Sequence, residues 1–154
     1  MLRIGHRGAA ALAPENTIQS LRLAQELGCD LVELDVLVVE ETLVLAHSAA
    51  ELPSERATLD EALAVLAPAG TGIQVDLKTP GVEAAVADAL RRHGVLDRAL
   101  VSSFHPGSLR ALKGLAGARL DRALRGAGAA AGRARRGRCH RRRSQDPPRL
   151  DFFS

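Results

Sequence analysis

Leu31-Val32-Glu33-Leu34-Asp35-Val36 is the stretch on which the fold turns. Its apolar residues are nearly continuous and rich in valine and leucine, which is how a strand reads when a parallel sheet buries it on both faces. Two carboxylates interrupt the run. Glu33 and Asp35 lie two residues apart, so they share one face while Val32, Leu34 and Val36 share the other. Acidic side chains on a buried strand carry a heavy desolvation cost unless something cationic pairs with them. The segment therefore predicts both a parallel sheet and a site on one of its faces.

Working outward, short apolar runs alternate with amphipathic stretches of helical length from residue 2 to about residue 117, the pattern of repeated β/α units. Leu2 to Gly5 reads as the first strand. Asn16 is then a candidate N-cap with Gln19 three residues on, followed by Ile18, Leu21, Ala24 and Leu27 at helical spacing, until Gly28 closes the helix. Downstream, Thr42 to Ala46 reads as the third strand, and Thr58 to Leu66 as a helix capped by Thr58 with Glu61 at the reciprocal position. Gly72 to Lys78 is the fourth strand, Pro80 to Arg92 a helix, Ala99 to Ser103 the fifth strand, and Pro106 to Leu115 a helix with proline in its first turn.

Composition divides the 154 residues in two. Residues 1–118 hold 10 Lys and Arg against 15 Asp and Glu, a balance of −5, whereas residues 119–154 hold 11 Arg against 3 Asp, a balance of +8. The second segment, rich in Arg, Gly and Ala, offers too little apolar surface to offset the entropy of ordering it, and it reads as a disordered basic tail. Its abrupt onset near Gly117 also resembles coding sequence read out of frame. A basic arm suggests nucleic acid or acidic membrane, but the tail lacks interleaved aromatics and any binding-fold signature, so no specific nucleic-acid partner is expected. Cys29 and Cys139 fit no metal or redox spacing, no stretch has the roughly 18 apolar residues of a membrane span, and the N-terminus has no signal-peptide core. A cytoplasmic protein is the expectation.

The chemically suggestive residues gather at the C-terminal ends of predicted strands. His6 and Arg7 follow the first, Glu33 and Asp35 lie on the second, His47 follows the third, and Asp76 and Lys78 share a face on the fourth. Three carboxylates call for a divalent metal, and oxygen ligands suit Mg²⁺ or Ca²⁺ better than Zn²⁺. His93, His105 and His140 read as surface or capping residues. Cys29 reads as core.

His6-Arg7-Gly8, Pro14-Glu15-Asn16-Thr17, Glu33-Leu34-Asp35-Val36, His47, Asp76-Leu77-Lys78 and Val101-Ser102-Ser103-Phe104 together resemble, in order and spacing, the glycerophosphodiester phosphodiesterases. The resemblance covers residues 1–118 and implies a (β/α)8 barrel of the TIM type. Such a barrel typically needs about 250 residues, so about five of its eight β/α units are expected here. It implies one divalent cation, Mg²⁺ or Ca²⁺, on Glu33, Asp35 and Asp76, with His6 and His47 as the acid/base pair. Arg7 and Lys78 would hold phosphate oxygens of a small glycerophosphodiester, and the products would be glycerol 3-phosphate and an alcohol.

The sequence departs from that family at three places. Ser48 follows His47 where the family usually has Asp, Asp76 stands where Glu is more common, and the segment from His47 to Thr58 is much shorter than the family's inserted subdomain. Two further readings follow. One is a catalytically inactive, truncated remnant, marginally folded for want of strands six to eight. The other is a nucleic-acid or membrane-surface binder acting through the basic tail.

Overall fold

A computed structural model of the chain describes residues 2–52 and 54–116. Five strands and four α-helices follow one another as β1 (Ile4–Gly5), α1 (Ile18–Glu26), β2 (Leu31–Val39), β3 (Thr42–Leu45), α2 (Leu59–Leu66), β4 (Gly72–Leu77), α3 (Glu83–Arg92), β5 (Ala99–Ser103) and α4 (Pro106–Ala116). The strands form one sheet in the order β1-β2-β4-β5, all parallel, with β3 attached to β2. The α/β class read from the sequence holds. The anticipated tail, residues 119–154, lies outside the described residues.

One strand differs in direction from the expectation. The second strand does not stop at Val36 but runs on to Val39, and β3 returns antiparallel beside it, with Val36 opposite Leu45 and Val39 opposite Thr42. The physical reason is the connection's length. Parallel neighbours need a crossover of about a dozen residues or more, whereas Glu40-Glu41 is a two-residue hairpin turn with both φ angles positive, 47° and 66°. Four strands are therefore parallel, and β3 is a hairpin arm.

The helix starts follow from local chemistry. Thr58 caps α2 as expected: its hydroxyl accepts the Glu61 N–H at 3.2 Å, and the Glu61 carboxylate accepts the Thr58 N–H at 2.8 Å. At α1 the cap is Thr17, paired reciprocally with Ser20, and not Asn16 with Gln19. The two candidates are adjacent, both are good cap formers, and Asn16 is engaged elsewhere. The helix expected from Pro80 begins at Glu83.

The main core lies on one side of the sheet, and a small second cluster of Leu37, Val44 and Ala46 lies around the β2–β3 hairpin. Val32, Leu34 and Val36 of β2, Ile73, Val75 and Leu77 of β4 and Val101 of β5 pack in one cluster with Leu21, Ala24, Leu59, Leu63, Leu66, Val86, Leu90 and Leu112 of the four helices. Cys29 joins this core. The opposite face carries Glu33, Asp35, Gln74, Asp76 and Ser102, so the period-two alternation separates a greasy face from a polar one. Among the described residues no helix is long and apolar enough to cross a membrane.

Candidate active site

Register aligns the carboxylates. β2 and β4 pair so that Asp35 lies directly opposite Asp76, and β4 and β5 pair so that Asp76 lies opposite Ser102. Glu33 stands two residues back on β2. One carboxylate oxygen each from Glu33, Asp35 and Asp76 falls within 4.8 Å of the others, a set of hard oxygen donors that fits a divalent cation.

Two cations, from two segments, close on this cluster. Lys78, just past β4, places Nζ 2.7 Å from Asp35 Oδ1 and also contacts Asp76 Oδ2. Arg7, after β1, has Nε 2.9 Å from Asp35 Oδ2, an ion-pair contact in which the N–H is not aligned on the oxygen. Its backbone N–H donates to Glu33 Oε2 at 2.7 Å, and its Nη1 donates to Glu15 Oε1 at 2.7 Å. Lys78 and Arg7 are both largely buried.

Arg7 also reaches a histidine. Its Nη2 lies 2.8 Å from His47 Nδ1. Since a guanidinium has only donors, Nδ1 accepts, and the ring proton of the neutral imidazole sits on Nε2. The Arg7 guanidinium thus orients His47 without a carboxylate at position 48, and Asp35 Oδ2 lies 3.4 Å from the same Nδ1 with no proton between them. The hairpin makes this possible: with Leu45 opposite Val36, the antiparallel arm carries His47 back beside Asp35. His6 Nε2 stands 4.0 Å from Glu33 Oε2 at the rim, where its side chain is half exposed.

The electrostatics differ among the carboxylates. Burial pushes Glu33 up to about 7; the Arg7 N–H opposes that rise, and the neighbouring Asp35 and Asp76 add to it. Burial acts on Asp35 in the same sense, yet Lys78, Asn16 and Arg7 outweigh it and hold this carboxyl below its ordinary value. Burial would lower Lys78, but Asp35 and Asp76 keep its ammonium above the usual lysine value.

His6, Arg7, Glu33, Asp35, His47, Asp76 and Lys78 thus converge on one end of the sheet. Four residues that the sequence did not assign to the site join them. Glu15 pairs with Arg7, Asn16 bonds Asp35, Ser102 donates to Asp76 Oδ1 at 2.7 Å, and Gln74 donates to Ser102 Oγ at 3.2 Å. The alternation of β4 and β5 put Gln74 and Ser102 on the polar face, but only the register made them neighbours.

Residues 6–50, which contain His6, Arg7, Glu33, Asp35 and His47, match the glycerophosphoryl diester phosphodiesterase family. Over this segment the chain is similar to the glycerophosphodiester phosphodiesterases, and the likeness extends further in individual relatives. A glycerophosphodiester phosphodiesterase of Caldanaerobacter subterraneus is 27% identical over 152 residues, covering 75% of this chain and 63% of that protein. Among solved structures, a glycerophosphodiester phosphodiesterase of Agrobacterium tumefaciens superposes with a TM-score of 0.65 at 26% identity, covering 75% of this chain and 64% of its own. An Oleispira antarctica phosphodiesterase, solved in complex with the product sn-glycerol 3-phosphate, also gives 0.65, at 27% identity over 75% of this chain and 62% of its own. The chain therefore spans somewhat under two thirds of these family members, and the likeness supports the barrel-type α/β fold over the part it covers.

Proposed function

We propose that this chain is a metal-dependent phosphodiester hydrolase that cleaves glycerophosphodiesters to glycerol 3-phosphate and an alcohol, a reaction of lipid breakdown. The observation that carries the reading is the convergence on Asp35: Lys78, Arg7 and His47 all meet it, while Glu33 and Asp76 bring their oxygens within 4.8 Å. The product bound in the Oleispira neighbour points to the same substrate class. Cys29 packs within the hydrophobic core, in keeping with a reducing compartment, the cytoplasm.

In this reading Glu33, Asp35 and Asp76 hold one Mg²⁺ or Ca²⁺. When bound, the ion supplies neutralisation of charge on a phosphate oxygen. Arg7 and Lys78 add two fixed positive charges for the nonbridging oxygens, where charge must be stabilised as the phosphorus centre rearranges. One imidazole of the pair His6 and His47 takes the proton of the glycerol hydroxyl next to the phosphodiester as its oxygen bonds to phosphorus, the other gives a proton to the departing alkoxide as its bond to phosphorus breaks, and water then opens the cyclic phosphodiester to glycerol 3-phosphate. Histidine suits both tasks because its unperturbed pKa lies near neutrality.

The test is release of glycerol 3-phosphate from glycerophosphocholine by the purified chain, with added Mg²⁺ or Ca²⁺ and after chelation. Release that depends on the ion supports the reading. A chain that binds the ion yet releases nothing retains the site without the activity, and the proposal fails.

A further inference from the structure

Asn16 touches Asp35 twice. Its Nδ2 donates to Asp35 Oδ2 at 3.0 Å, and its Oδ1 accepts the backbone N–H of Asp35 at 3.1 Å. One amide group therefore ties the main chain and the carboxylate of the same residue, closing a ring that restricts rotation of the Asp35 side chain. Asn16 is only 5% exposed, and its backbone sits in the left-handed region at φ 56°. Asparagine tolerates that region better than most residues, and the conformation persists here because the surroundings determine it. Its own N–H donates to the Arg7 carbonyl at 3.1 Å, which anchors the loop after β1 to the same point.

Arg7 and Lys78 also contact Asp35, but both are cations that would serve a phosphate as well. Asn16 is neutral, and its side-chain amide is committed to Asp35 at both ends. Mg²⁺ demands near-ideal octahedral geometry, whereas Ca²⁺ accepts variable ligand number and angle. A carboxylate locked in rotation discriminates between the two, and one free to turn does not.

We infer that Asn16 is a positioning residue that sets the rotation of the Asp35 carboxylate and so tunes the site toward the cation with the stricter geometry. The inference rests on the metal reading above. It assigns to Asn16 a role in ion selectivity, not contact with substrate.

The experiment compares the whole chain with its Asn16→Gly variant, since glycine removes the amide while keeping the left-handed backbone at no steric cost. Calorimetric titrations with Mg²⁺ and with Ca²⁺ separately give the ratio of affinities, and a thermal melt without either ion reports the fold. The expected result is a loss of Mg²⁺ affinity of roughly 10–100-fold, the scale for a partner that orients a metal ligand, with a clearly smaller loss for Ca²⁺. If the glycine variant does not fold, Asn16→Asp replaces it. Aspartate keeps an acceptor for the Asp35 N–H but confronts Oδ2 with an oxygen that does not donate, and the ratio falls there too. An unchanged Mg²⁺/Ca²⁺ ratio in whichever variant folds overturns the inference, as does failure of both to fold, which makes the role structural. A wild-type chain that binds neither ion defeats the metal reading itself and this inference with it.

Discussion

Glu33→Gln separates the stability of the site from its function. The Glu33 carboxyl, pushed up to about 7 by burial, has an ordinary value of 4.5. A raised folded value means that its contribution is fully present below pH 4.5, where the group is neutral in both states. Stability is then lost between pH 4.5 and about 7, because the unfolded chain releases the proton while the folded chain still holds it. A gap of about 2.5 pH units at about 1.36 kcal/mol each amounts to roughly 3 kcal/mol. Glutamine is neutral throughout and can still accept the Arg7 N–H, now at 2.7 Å from Oε2. In chelator-treated protein, urea denaturation should therefore show the two chains close at pH 4.5 and the glutamine variant more stable by about 3 kcal/mol at pH 8. The same variant should lose its stabilisation by Mg²⁺ or Ca²⁺. Asp35 does not confuse the result, since its lowered value places its own pH dependence below 3.8. Parallel stability curves across this range would refute the assignment of burial as the dominant influence on Glu33.

Other perturbations probe the remaining parts. Lys78→Met removes the cation shared by Asp35 and Asp76 and should cost about 3 kcal/mol near neutral pH, with partial recovery on adding a divalent ion; an unaltered urea midpoint would show the ion pair to be energetically idle. His6→Ala and His47→Ala should each leave ion binding largely intact while slowing turnover by roughly 10²–10⁴. A substrate with a good leaving group should rescue only the variant lacking the general acid, and equal rescue of both would deny a divided role. Thr58→Ala removes one half of the α2 capping box and should cost about 1 kcal/mol by thermal melting, without any change in ion affinity.

The alternation of Glu33 and Asp35 with Val32, Leu34 and Val36, and of Asp76 and Lys78 with Val75 and Leu77, was legible in the sequence because strand geometry is local: side chains two apart share a face wherever the strand goes. The capping box at Thr58 and Glu61 was legible for the same reason, since its hydrogen bonds close within one helical turn. Even the hairpin at Glu40-Glu41 was implicit in the short interval between β2 and β3, though its direction went unread. What the tertiary structure alone decided is register. That Asp35 faces Asp76, that Ser102 reaches Asp76, and that the antiparallel arm returns His47 to Arg7 depend on how the helices seat on the sheet, a balance of contacts distant in sequence. Asn16 and Thr17 show the limit most clearly: either could cap α1 by local propensity, and the choice fell to Thr17 because the buried Asp35 carboxylate needed a donor that only the folded chain brings within 3.0 Å.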